Sequence, residues 1–326
     1  MLPVVGFFML KAANLDIQMC PDVRGAAFTL FIFGRAETSN FIWERGRFAT
    51  IPILEGGFMQ KAVDTLDIGE LSVFAVETIE QMGKEALKFY GQGRRRPPFD
   101  QDLITQAELH LIETFQRKIS DNYPNHLVYG QEPLDEGYTH DAKRYLWVFD
   151  PLDGVDNFQT GIPIWGMSLA LYENYWPLLG IFYMPVTHDL FRARAEDKAY
   201  WNDRPIQIEN RGDLSQESLL LTYSRFHQAY NCHFSGKIRD FGSTGAHICY
   251  VAMGRADAAI TAKESFKDLA AVRVIIESAG GKMFKSSGEY FYLGDYMDGQ
   301  RIDEHLLIAG KPKARLVLDC LTPTQM

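Results

Sequence analysis

The 326-residue chain is 46% hydrophobic and 23% charged, the balance of an ordinary globular protein with room for one large domain or two modest ones. Its net charge of −9 and pI of about 5.4 argue against a nucleic-acid partner, because duplex-binding proteins carry a basic excess. The apolar runs Val4–Leu10 and Ala26–Phe33 fall short of the roughly 20 residues that span a bilayer. The first has neither the basic run nor the cleavage site of a signal peptide.

Residues 1–58 differ from the rest. Their apolar runs are separated by Pro, Gly, Asn and Asp and show no sustained amphipathic period. The expectation is an irregular N-terminal extension outside the fold, with the folded domain covering 59–320. Asp67–Tyr90 then carries a helical stripe at Leu71, Phe74, Ala75, Ile79, Met82, Ala86 and Phe89. Gly91, Gly93, Pro97 and Pro98 end it in a loop. A second helix fits Ile104–Ile119. Strands are expected at His126–Tyr129, Tyr145–Phe149, Met167–Tyr172, Pro177–Tyr183, Asp189–Ala193 and Leu219–Thr222. Helices are expected at Thr244–Met253 and Asp268–Ser278, the latter stopped by Gly280-Gly281. Helices and strands come in blocks, which implies layered α+β packing over a strict βαβ alternation. Cys20, Cys232, Cys249 and Cys320 form no CxxC pair and fit neither a zinc site nor a disulfide framework, so a reducing cytoplasm is expected.

The chain contains no GxxxxGK(S/T), GxGxxG, HExxH or GxSxG motif, and its eight histidines are scattered. The informative segment is Trp147-Val148-Phe149-Asp150-Pro151-Leu152-Asp153-Gly154-Val155-Asp156-Asn157-Phe158. An apolar strand runs into two acids, and Pro151, lacking an N–H, cannot continue a central ladder. Both carboxylates can then point into one cavity, and Gly154 permits close backbone approach to a ligand. Paired carboxylates suit Mg²⁺, a hard ion that takes oxygen ligands; the Leu152 carbonyl is a further donor. A helix starting near Asp156 would turn the Gly154 and Val155 N–H groups toward an anion. An ordinary acidic turn is the competing reading, and the strand, the Pro and the Gly weigh against it.

Asp150–Phe158 resembles the D-P-I/L-D-G-T-x-N-F pattern of the inositol monophosphatase family of magnesium-dependent phosphatases, with Val155 in place of the Thr. Further matches follow in order. Asp102-Leu103-Ile104-Thr105 resembles D-L-V-T, and Gly130-Gln131-Glu132 resembles G-E-E. Gly242–Ala246 with Val251–Asp257 resembles G-S/T-A-A…V-A-x-G-x-A-D. Asp268–Ala271 resembles the D-x-A-A of W-D-x-A-A-G, and Glu277–Gly281 resembles E-A-G-G. The resemblance spans roughly Asp67 to Gly310. It implies a layered αβαβα sandwich and a homodimer acting on a small phosphorylated substrate. It also implies two or three Mg²⁺ held by Glu132, Asp150, Asp153, Asp268 and the Leu152 carbonyl. The Gly154 and Val155 amides would hold phosphate near Asp153, with Ser243 and Thr244 beside the alcohol part. Glu132 and Glu108 would serve the catalytic water.

Four departures from the pattern stand out. The hydroxyl that helps orient the water is absent at Val155, and its partner acid is Glu108, one methylene longer than the family's Asp. Lys267 replaces the Trp before the last metal acid; a solvated lysine and one that repels a metal or meets a substrate phosphate are both open readings. Thr261 stands where inositol-specific members carry a Glu. The expected activity is Mg²⁺-dependent hydrolysis of an inositol, sugar or polyol phosphate. The alternatives are an impaired member that binds metal and a phosphorylated ligand, or a phosphatase of nucleotide 3′-phosphates or fructose 1,6-bisphosphate.

Overall fold

The computed structural model describes residues 67–93, 100–130, 144–209 and 213–324, together with the course of five strands between Met9 and Thr50. The chain divides into two units, Met1–Thr65 and Leu66–Met326. In the first, β1 (Met9–Ala12), β2 (Leu15–Pro21), β3 (Phe28–Phe33), β4 (Phe41–Glu44) and β5 (Arg47–Thr50) form one antiparallel sheet in sequence order. An irregular run was the expectation here.

The second unit opens with two helices, α1 (Ile68–Ala86) and α2 (Gln101–Asn122). Their N-caps are Asp67, which accepts from the Gly69 amide at 2.8 Å, and Asp100, which accepts from the Leu103 amide at 3.2 Å. Buried residues repeat at helical spacing along each, Leu71, Ala75, Ile79, Met82 and Ala86 on α1 and Ile104, Ala107, Leu111, Phe115 and Ile119 on α2. Seven strands follow: β6 (Leu127–Val128), β7 (Tyr145–Asp153), β8 (Gly166–Glu173), β9 (Trp176–Met184), β10 (Asp189–Arg194), β11 (Ala199–Trp201) and β12 (Arg204–Ile206), with a short helix α3 (Val155–Thr160) after β7. They make one sheet in the order β12-β11-β10-β9-β8-β7-β6, antiparallel except for the β6–β7 pair.

The remaining chain builds a second sheet. It comprises β13 (Leu219–Leu221), α4 (Phe226–Ala229), β14 (Tyr230–Cys232), β15 (Lys237–Arg239), α5 (Thr244–Ala252), β16 (Ala258–Thr261), α6 (Phe266–Ser278), β17 (Lys282–Lys285), β18 (Leu306–Ala309), α7 (Lys311–Leu318) and β19 (Leu321–Pro323). The second sheet runs β15-β13-β16-β18-β17, and β14 pairs separately with β19.

Three cores separate five layers. Helices α1 and α2 pack on one face of the seven-stranded sheet through Trp147, Phe149, Leu169 and Leu171. Helices α5 and α6 fill the space between the two sheets through Val148, Phe182, Phe266, Leu269 and Ile275. Helix α7 covers the outer face of the second sheet through Ala314 and Val317. This is the αβαβα sandwich. Gly180 sets the spacing of its centre: a Cβ there would lie 2.2 Å from the Ala271 carbonyl oxygen, so only glycine lets α6 lie this close to β9. Among the described residues no helix is long and apolar enough to cross a membrane.

Candidate active site

The site forms where β7 ends. In a regular strand, residues three apart face opposite sides of the sheet. Asp150 pairs with Ser168 and Asp153 with Gly166, so a bulge at Pro151-Leu152 adds one residue to β7. Ser168 and Gly166 are two apart, so both acids lie on the same face. It is the Val148 face, toward α5 and α6. The sequence reading had the strand stop before the acids; the ladder instead continues through them by the bulge. Leu152 stays buried in the core under α1 and α2 and anchors the backbone between the acids.

Asp153 meets the N-terminus of α5. Its Oδ2 accepts from Ser243 Oγ at 2.5 Å and Gly245 N at 2.8 Å, and its Oδ1 accepts from Thr244 N at 3.1 Å. Ser243 is the α5 N-cap, and its hydroxyl also accepts from Ala246 N at 3.2 Å. Ser243 and Thr244 thus touch the acid that the motif pairs with them. Burial pushes the Asp153 carboxyl up to about 7, against the pull of the Ser243 and Gly245 hydrogen bonds; Asp150 and Asp268 push the same way as burial. The turn carrying Gly154, at φ +87°, leads into α3, whose first residue is Val155. Asn157 braces this turn by donating from Nδ2 to the carbonyls of Ile164 and Phe241, both at 2.6 Å. Buried His247 braces the facing loop by accepting from Phe241 N at 2.9 Å through Nε2. Burial lowers its pKa to about 4, which keeps the ring neutral.

Asp268 lies in the first turn of α6, where its Oδ2 accepts from the amide and hydroxyl of Ser265 at 2.8 and 2.9 Å. Burial, reinforced by Asp150, raises its pKa. Glu108, on α2, is half-buried; burial raises its carboxyl, Lys267 lowers it and Asp150 raises it. Glu108 thus lies within electrostatic reach of Asp150 on β7 and Lys267 on α6. Glu132 falls within 131–143, outside the described residues. Among the described residues, no three His, Cys, Asp or Glu side chains form a closed metal-ligand group.

The sequence model of the inositol monophosphatase family matches residues 68–315. The chain belongs to the inositol monophosphatase family. It is 31% identical over 230 residues to Nus factor SuhB of Xylella fastidiosa, covering 68% of this chain and 80% of the relative. It is 29% identical over 225 residues to a histidinol-phosphatase of Chlorobaculum parvum, covering 66% and 85%. Inositol monophosphatase II of Staphylococcus aureus shares the fold, with a TM-score of 0.62 at 23% identity over 77% of this chain and 92% of that one.

Two further residues shape the site of this inositol monophosphatase family member. Lys267 is not a solvated side chain. Its Nζ donates to Asp150 Oδ1 at 2.6 Å, with 36% of the lysine side chain exposed and Asp150 almost wholly buried. Glu264, absent from the sequence reading, accepts from Thr244 Oγ1 at 2.8 Å. Burial pushes its carboxyl up to about 8; Asp268, Asp153 and Asp150 add to the rise and the Thr244 hydrogen bond opposes it. No local motif marks Glu264, because only the packing of α5 on α6 brings it to Thr244. The donors suit a hard divalent cation, since several carboxylates crowd one face and raise one another's affinity for a positive partner.

Proposed function

We propose that this chain is a Mg²⁺-dependent phosphomonoesterase acting on a small inositol, sugar, polyol or amino-alcohol phosphate. The observation that carries this reading is the placement of Asp150 and Asp153 on one face of β7, opposite Asp268 of α6, with Asp153 seated on the α5 N-terminus. Asp150, Asp153, Asp268, the Leu152 carbonyl and Glu132 would hold the metal. Bound there, Mg²⁺ supplies charge neutralisation at the phosphoryl group and a more acidic coordinated water.

The chain's own residues do the rest. Phosphoryl transfer asks mainly for positioning and electrostatic stabilisation. The amides of Gly154 and Val155, at the start of α3, would bind phosphate oxygens. Ser243, Thr244 and Gly245 fix the Asp153 carboxylate. They use three of its roughly four lone-pair sites and leave one for a ligand. Glu108 would orient the attacking water in the role that Val155 cannot share. Glu264 and Thr244 form the wall facing the alcohol part, and the buried Thr261 supplies no charge there. That arrangement supports a substrate set broader than inositol phosphates, and a relative named histidinol-phosphatase adds amino-alcohol phosphates to it. A cytoplasmic homodimer completes the proposal.

The test is Asp153→Asn. An amide must point its NH₂ at one of the three donors, so it loses at least one charge-assisted hydrogen bond, about 1.5–3 kcal/mol. Removing a strained buried charge offsets part of that, and the variant should stay folded. Mg²⁺-dependent turnover should fall at least 100-fold. Retained turnover in a folded variant would overturn the site assignment.

A further inference from the structure

Lys267 occupies an unusual position for a cation. It lies in the first turn of α6, where the helix dipole and the unpaired amides disfavour positive charge. Helix stability therefore does not account for it. Its surroundings do. Nζ lies 2.6 Å from Asp150 Oδ1, and the negative charges of Asp268 and Glu108 also act on it. One ammonium hydrogen-bonds the β7 carboxylate, and carboxylates of α6 and α2 act on it electrostatically. Asp150 is 4% exposed, so its charge depends on a positive partner supplied by protein or ion. All three acids belong to, or border, the cluster read above as the metal site.

We propose that the Lys267 ammonium is a tethered cation that takes the place of one divalent ion beside Asp150, so that the site binds one ion fewer than its carboxylates could hold. The proposal rests on the metal-dependent phosphatase reading and deepens it. Lysine brings a single charge and three N–H donors, and no Lewis acidity. The ion it replaces is therefore one whose task is to neutralise charge and hold Asp150 in place. Asp153 and Asp268, to which the ammonium does not hydrogen-bond, remain for the ions that still bind. A tethered ammonium also cannot be lost by dilution or chelation, so one part of the site's charge balance becomes independent of the metal concentration.

The experiment counts ions. The full chain, stripped with chelator, is titrated with Mg²⁺ by calorimetry and with Mn²⁺ by electron paramagnetic resonance, as wild type, Lys267→Met and Lys267→Gln. Each neutral variant should bind one more divalent ion per chain than the wild type. Each should also melt lower than wild type without metal and recover when Mg²⁺ is added. Gln keeps the assay open if Met packs badly. Equal stoichiometry in wild type and both variants overturns the proposal; if the wild type still releases phosphate with Mg²⁺, the phosphatase reading stands and only the role of Lys267 falls. Failure of all three proteins to bind divalent ions overturns both.

Discussion

Gly154→Ala probes the join on which the site depends. Gly154 has φ +87°, a conformation that costs a residue with a Cβ about 1–2 kcal/mol. A Cβ built there lies 2.9 Å from the Gly242 carbonyl oxygen, 3.2 Å from Ser243 Cβ and 3.3 Å from the Ile164 carbonyl oxygen. Two of those three neighbours are backbone, so the contact cannot be relieved by rotating a side chain. Overpacking of this kind adds about 1–3 kcal/mol. Reduced entropy of the unfolded chain returns about 0.4–1 kcal/mol. The expected net loss is about 2–4 kcal/mol. For a domain of this size it should lower Tm by roughly 4–12 °C in a thermal melt. Relief of the clash must also push the Gly242-Ser243 backbone away from Asp153, so turnover should fall more than stability alone explains. A Tm within about 2 °C of wild type, with unchanged turnover, would refute the claim that this contact sets the distance between the β7 acids and α5.

Val155→Thr exchanges near-isosteric side chains where the residue packs partly against the helix-layer core. It should cost about 1 kcal/mol of stability and raise kcat severalfold if the missing hydroxyl limits orientation of the water; steady-state kinetics at saturating Mg²⁺ decides this, and an unchanged kcat assigns the task to Glu108 alone. The metal-free protein should lose stability as pH rises. Asp153 and Glu264 are raised to about 7 and about 8 in the folded chain. Protons are then bound more tightly by the folded than by the unfolded state. The stabilising contribution is complete below about pH 4 and is lost as pH climbs through 7 and 8, at most about 9 kcal/mol for the two shifts together. Chelator-treated melts should show Tm falling from pH 5.5 to 8.5, with Mg²⁺ flattening the fall; a flat or rising metal-free profile contradicts the crowding of these acids.

The sequence made α1, α2 and strands β7–β10 of the seven-stranded sheet legible because each is long enough to carry a sustained apolar pattern. The stripes of α1 and α2 and the long apolar runs of β7, β8 and β9 each carry their own burial signal. The second sheet was harder. β16 reads Ala-Ala-Ile-Thr and β18 Leu-Leu-Ile-Ala, short runs buried throughout, which show no period. The motif residues led to Asp150, Asp153, Ser243, Thr244 and Asp268, and these do converge, apart from Glu132, which lies outside the described residues. How Asp150 and Asp153 come to share a face was not legible, since a bulge is a property of pairing and depends on β8 as much as on Pro151. The Lys267–Asp150 pair joins residues 117 positions apart, and Glu264 reaches Thr244 across 20. Neither contact has a local signature. In the sequence Lys267 stands out only as a cation in place of a Trp, and its partner Asp150 is visible only once α6 is packed against β7.

The central claim is tested most directly by phosphate release from a panel of inositol, sugar, amino-alcohol and nucleotide monophosphates, with and without Mg²⁺. The account predicts Mg²⁺-dependent release from at least one small phosphate monoester, abolished by Asp153→Asn. No release from any of them, by a folded protein that binds Mg²⁺, would contradict it and leave a metal- and ligand-binding protein without turnover.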